Sequence, residues 1–243
     1  KDLTNNQEVR LSEEPGHYSR LSWSADGSQI AFVMQSDCEA EVDLSQQCWQ
    51  LQTLDFARAW NGATSNAVRF DCAQTQTSHP TWLNDGRIAL LQYPASGEGA
   101  PKVVLHDART GSVSDVPLEH SGEIYALVYS RAKHILASMA RDKNNQHVLR
   151  TFRISGEVLS QATVKRQPHH SVYRRLSISF APDGESFLTS TGGQIHALSL
   201  DGELTLLHGA HTRGLSNPVY HPSQTKITAT QGNKDFDIGV LNA

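Results

Sequence analysis

The sequence predicts an all-β fold of repeated antiparallel sheets, and three observations carry that prediction. The first is a recurring hairpin opener. LSWSADGSQIAFV at 21–33 returns as SHPTWLNDGRIALLQ at 78–92 and RRLSISFAPDGESFLTS at 174–190. Weaker copies are IYALVYSRAKHILASM at 124–139 and LSNPVYHPSQTKITAT at 215–230. The second is spacing. The aromatic anchors Trp23, Trp82, Tyr129, Phe180 and Tyr220 stand 59, 47, 51 and 40 residues apart, which is a repeat of roughly 40–50 residues. The third is complementary ends. The last unit stops at Ala243 after its third strand, while the stretch at 6–12 reads as a fourth strand with no blade in front of it. Together these predict a five-bladed β-propeller of four-stranded antiparallel blades, closed by the N-terminal strand completing the last blade.

Blades are expected at 17–73, 78–118, 122–165, 173–209 and 214–243 plus 6–12, forming one domain over 1–243. Each first strand alternates, as where Leu21 and Trp23 point one way and Ser22 and Ser24 the other. A turn follows, with Asp-Gly at Asp26-Gly27, Asp85-Gly86 and Asp183-Gly184. Glycine accepts a positive φ there, and the Asp carboxylate can bond the turn backbone. The copies at 129–133 and 220–224 lack Asp-Gly. Second strands rich in Ile, Ala, Phe, Val and Leu suit burial on both faces. Third strands are expected at 49–54, 103–106, 148–154, 195–200 and 238–241. Outer strands are expected at 68–71, 113–117, 158–164 and 204–208.

Charge excludes some functions. Lys and Arg number 21 against 25 Asp and Glu, a net charge of −4, without the basic excess of a nucleic-acid-binding domain. The longest apolar runs, such as Ile88-Ala89-Leu90-Leu91, are too short for a membrane-spanning helix. The chain opens at Lys1 on polar sequence without an initiator Met, so it is expected to be a mature chain or a piece of a longer one. Membrane contact is expected only through a segment outside it. No Gly-x-Ser-x-Gly elbow, GxxxxGK[ST] loop, GxGxxG or HExxH occurs, so no catalytic set is recognised and no enzyme activity or cofactor is expected.

Twelve histidines are present, several placed just before an expected first strand: His17, His79, His120, His169, His170 and His211. Such linkers cross one face of a propeller. Three readings stand: separately solvated polar linkers, imidazoles converging on a transition metal, or imidazoles switching charge near pH 6–7. No metal site is assigned. Arg174 and Arg175, with Lys165 and Arg166, make one linker basic and able to meet an anionic ligand or acidic partner surface. His106 is expected at the end of the third strand at 103–106, apart from these. Arg141-Asp142-Lys143-Asn144-Asn145 reads as a solvated turn between a second and a third strand. Cys38, Cys48 and Cys72 fall at one end of the first blade. Cys38–Cys48 is the preferred disulfide because its long loop can adjust to the required geometry. Cys48–Cys72 and three buried thiols remain the alternatives.

Trp23-Ser24-Ala25-Asp26-Gly27 and Phe180-Ala181-Pro182-Asp183-Gly184, with Glu8-Val9-Arg10-Leu11-Ser12 as outer strand and lead-in, resemble the TolB-type propeller repeat. The resemblance covers nearly the whole chain. It implies a non-catalytic periplasmic domain binding a protein partner or small ligand on a propeller face. Repeats of this kind occur in TolB, in propellers of prolyl-oligopeptidase-like enzymes, and in membrane-anchored transcription regulators resembling CadC and ToxR. The expectation is the sensory or interaction part of such a regulator. The alternatives are a TolB-like envelope interaction module and the accessory propeller of a peptidase.

Overall fold

The computed structural model describes residues 17–36, 48–56, 75–94, 99–119, 122–165, 176–209, 214–220, 226–231 and 237–242. Eighteen strands fall among them. In chain order they are β1 (His17–Trp23), β2 (Gln29–Ser36), β3 (Cys48–Asp55), β4 (Thr75–Trp82), β5 (Arg87–Pro94), β6 (Lys102–Asp107), β7 (Val113–Asp115), β8 (Glu123–Ser130) and β9 (Ile135–Arg141). Then follow β10 (His147–Phe152), β11 (Val158–Thr163), β12 (Ser177–Phe180), β13 (Ser186–Thr191), β14 (Gln194–Ser199), β15 (Leu204–His208), β16 (Leu215–Tyr220), β17 (Lys226–Gln231) and β18 (Asp237–Asn242).

Every sheet is an antiparallel meander of strands consecutive in the chain. Three complete four-stranded blades are present, β4–β7, β8–β11 and β12–β15. Two further sheets, β1–β3 and β16–β18, have three strands among the described residues. The outer strand expected at 68–71 and the closing strand at 6–12 lie outside the described residues. Strand limits also move. The outer strand expected at 113–117 ends at Asp115, and the third strand expected at 148–154 ends at Phe152, where Arg153 and Gly156 form a turn.

The hairpin turns form as their residues dictate. Asp26, Asp85 and Asp183 each accept, on Oδ1, the backbone N–H two residues on, at 3.0, 3.1 and 2.9 Å. Gly27, Gly86 and Gly184 take φ of +71°, +83° and +74°. The third blade, which lacks Asp-Gly, puts His134 in the left-handed position instead, at φ +57°. Its Nδ1 lies 3.3 Å from the Tyr129 hydroxyl.

The chain forms two compact units, Lys1–Asp115 and Val116–Ala243. In the first, β1, β2 and β3 pack against β4. Ala31 and Leu51 meet Trp82, Ile88, Leu90 and Val104 in one buried cluster, and the Ser22 hydroxyl accepts the Trp82 backbone N–H at 3.1 Å. In the second, β8, β12 and β16 touch in succession. Tyr125, Met139 and Leu149 pack with Ile178, Phe187 and Leu198. Leu188 and Ile195 pack with Leu215, Ile227 and Ala229. Full burial of a side chain such as Phe187 contributes about 2–3 kcal/mol. The outer strands β7, β11 and β15 are largely exposed.

Register aligns the third strands. Leu54, His106, Phe152, Leu198 and Leu241 each pair with the corresponding second-strand residue, Ile30, Ile88, Leu136, Phe187 and Ile227. His106 therefore occupies a position that is leucine or phenylalanine in the other sheets, and it is 1% exposed. This is the end of the third strand expected at 103–106. His106 lies on the third strand, where hydrogen bonding to β5 and β7 on both sides buries it.

Candidate functional site

In each meander, the start of the first strand and the loop between second and third strands share one end of the sheet, because neighbouring strands are antiparallel. The expected linker histidines belong to this end, and the structure places few of them. His17 is the first residue of β1. His79 is corrected from a linker to the body of β4, because that strand begins at Thr75. It sits half-buried in a bulge between Ser78 and Thr81, at φ +57°. The last three-stranded sheet repeats the device at Asn217, φ +48°, in the bulge between Ser216 and Val219. Both residues precede a proline, Pro80 and Pro218. His120, His169, His170, His211, Arg174, Arg175 and Cys38 lie outside the described residues. Cys48 opens β3. No disulfide and no cluster of three or more His, Cys, Asp or Glu suited to a metal is found among the described residues.

The described residues form a site at this same end of the third blade, where the sequence suggested only a solvated turn. A cavity of about 610 Å³ opens broadly to solvent there, lined by Gly122, Glu123, Arg141, Asp142, Lys143 and Asn145. Strand pairing positions the first layer. Glu123 on β8 and His147 on β10 both face Arg141 on β9 in register, so three titratable side chains lie in one row across the sheet. The Tyr125 hydroxyl, on a residue 2% exposed, lies 2.6 Å from His147 Nδ1. Their rings meet edge to face with centroids 5.8 Å apart. This contact fixes the imidazole at the base of the row.

The loop above the row is locked by its own chemistry. Asp142 Oδ1 accepts the backbone N–H of Asn144 and of Gln146, each at 2.8 Å. Asp142 N–H bonds the Gln146 carbonyl at 2.9 Å, and Asn145 N–H bonds the Asp142 carbonyl at 3.0 Å. Asn145 takes φ +59°, a conformation Asn adopts more readily than most side chains. The floor is a backbone contact. Gly122 has φ +106°, and a Cβ there would lie 2.1 Å from the Arg141 carbonyl oxygen. Only glycine lets the chain enter β8 this close to the end of β9.

Two carboxylates and two cations line the cavity, and they are not equally committed. The Asp142 carboxylate is committed to its turn. Glu123 and Arg141 oppose each other across the strand pair. Lys143 is exposed and has no ion-pair or hydrogen-bond partner among the described residues. Other cations nearby in sequence are taken. Arg150 donates from Nε to Gln161 at 2.6 Å and from Nη1 to the Glu119 carbonyl at 3.0 Å. Lys165, from the basic linker, pairs with Glu203, which raises its pKa. The signal that could have identified the site was Gly122 directly before a first strand, together with the Asp-x-x-Asn turn at 142–145.

No protein-family model matches the sequence, and no curated protein sequence matches it. Many solved structures share its fold. TolB from Acinetobacter baumannii is 12% identical, with a TM-score of 0.67 over 96% of this chain and 53% of that one. The chain thus spans about half the length of that protein. A protein of Agrobacterium tumefaciens assigned to TolB is 13% identical, with a TM-score of 0.66 over 96% of this chain and 79% of that one. Oligogalacturonate lyase from Vibrio parahaemolyticus is 10% identical, with a TM-score of 0.65 over 97% and 69%. At these identities the likeness is one of fold, and the fold is an all-β propeller of antiparallel blades.

Proposed function

We propose that this chain is a non-catalytic recognition module that binds a protein partner through the loop end of its blades. Its single domain would be a five-bladed ring over 1–243, closed by the strand at 6–12. In this reading it is the extracytoplasmic, periplasmic part of a membrane-anchored transcription regulator of the CadC or ToxR kind. The TolB-type openers support the extracytoplasmic setting. The observation that carries the recognition role is the open polar cavity on the third blade, with a turn held rigid by Asp142 and Asn145. A loop already in its bound shape loses less entropy on association.

Photo-crosslinking in the native cell tests the proposal. A crosslinking residue at Asn144, on the exposed turn, is compared with one at Leu206 on the exposed outer strand β15. A discrete crosslinked protein from position 144 and none from 206 is expected. Crosslinks from 206 alone would overturn the assignment. So would cleavage of oligogalacturonate by the purified chain, the activity named for one structural neighbour.

A further inference from the structure

This inference rests on the reading of the third blade's loop end as a recognition surface, and it assigns the chemistry recognised there. We propose that the cavity receives an Asp or Glu side-chain carboxylate from a protruding segment of a partner protein, with the Lys143 ammonium as its counter-charge.

Four charged groups line the cavity. Asp142 is bonded to two backbone N–H groups of its own turn. Glu123 and Arg141 stand opposite one another across β8 and β9. Of the four, the Lys143 ammonium alone has neither a hydrogen bond nor a facing opposite charge across the strands among the described residues. The lining as a whole is close to neutral, so it suits one carboxylate and not a run of anions. A nucleic-acid or polyphosphate backbone would bring repeated negative charge against Glu123 and Asp142 and against a chain of net charge −4.

Shape separates a protein segment from a free small acid. Sites for small molecules enclose most of the ligand's surface. This cavity is open, so a small acid would keep much of its solvation there and gain little. A carboxylate on a larger partner brings surrounding surface that covers the mouth. The Gly122–Arg141 backbone contact and the Asp142 turn hold Lys143 at the rim without further ordering of the loop.

The test is fluorescence anisotropy on the full chain with a labelled Gly-Ser peptide that carries a single central Glu, both termini blocked. The same peptide with Gln for Glu and with Lys for Glu serve as comparisons. The Glu peptide is expected to bind at least tenfold more tightly than either. Lys143→Gln is expected to lose about tenfold, Lys143→Arg to retain binding, and Lys226→Gln, a change at an exposed lysine on β17, to leave it unchanged. Affinity should fall as salt rises. Equal binding of the Glu and Gln peptides, preference for the Lys peptide, or equal losses for Lys143→Gln and Lys226→Gln would overturn the proposal. Each variant's thermal midpoint verifies that it is folded, as expected for an exposed side chain. A partner crosslinked from position 144 whose capture is indifferent to Lys143→Gln would sink the carboxylate assignment and leave recognition at this end standing.

Discussion

Replacing Gly122 by alanine probes the site and the fold together. Two separate penalties arise. Gly122 has φ +106°, outside the regions open to an L-residue with a side chain, which costs about 1–3 kcal/mol. The new Cβ would also lie 2.1 Å from the Arg141 carbonyl oxygen, with the Arg141 carbonyl carbon at 2.9 Å and Asp142 Cα at 3.2 Å. These are backbone atoms, Arg141 held in the β8–β9 pairing and Asp142 in its hydrogen-bonded turn, so β8 or the loop must withdraw by roughly an ångström to restore ordinary contact. Overpacking of this kind costs about 1–3 kcal/mol more. Gly27→Ala is the internal control, since its φ is +71° and nothing lies within 4 Å of its Cβ. It should cost about 1–2 kcal/mol. Urea titration followed by far-UV circular dichroism measures both. Tryptophan emission is the wrong probe, because Trp23, Trp49, Trp60 and Trp82 all lie in the first unit. A Gly122→Ala variant no less stable than Gly27→Ala would refute the claim that this glycine is required by backbone contact at the cavity floor.

Three further outcomes follow from individual residues. Asp26 is pulled from 3.8 to about 2, first by the Ser24 hydroxyl and then by the Ser28 backbone and hydroxyl. Its folded pKa is depressed, so its contribution is present above pH 4 and disappears as pH falls toward 2. Asp26→Asn should unfold at a lower temperature than wild type at pH 5 and at the same temperature near pH 2. Burial lowers the His106 pKa, with Asp107 opposing, so its folded value lies below its unfolded one. That stability is full above about pH 6.5 and is lost as pH falls through the lowered value. His106→Leu, which installs the residue found at Leu54 and Leu198, should flatten the midpoint between pH 7 and 5, and an unchanged slope would contradict the burial assignment. The Thr189 hydroxyl is fully buried, with no hydrogen-bond partner among the described residues, so Thr189→Val should stabilise by about 1 kcal/mol in the same urea titration.

Local chemistry was legible from the chain alone. Asp26, Asp85 and Asp183 cap their turns as their spacing from Gly27, Gly86 and Gly184 implies. The apolar second strands are buried on both faces, as at Ile88-Ala89-Leu90-Leu91. These features depend on neighbours a few residues apart, where φ preference and alternation decide the outcome. Where the pattern lapsed, a substitute was harder to see, as with His134 taking the left-handed place of a glycine.

Only the tertiary structure decided which polar groups became buried and which became a site. His106 and Lys102 sit on the same strand, yet one is buried between β5 and β7 and the other exposed. Arg141-Asp142-Lys143-Asn144-Asn145 is an ordinary polar turn in sequence. It becomes a cavity wall because Gly122, on the far side of a strand pairing, brings the start of β8 against its backbone. Turn type follows from a few adjacent residues, whereas cavity shape and net local charge depend on which distant residues the register sets side by side.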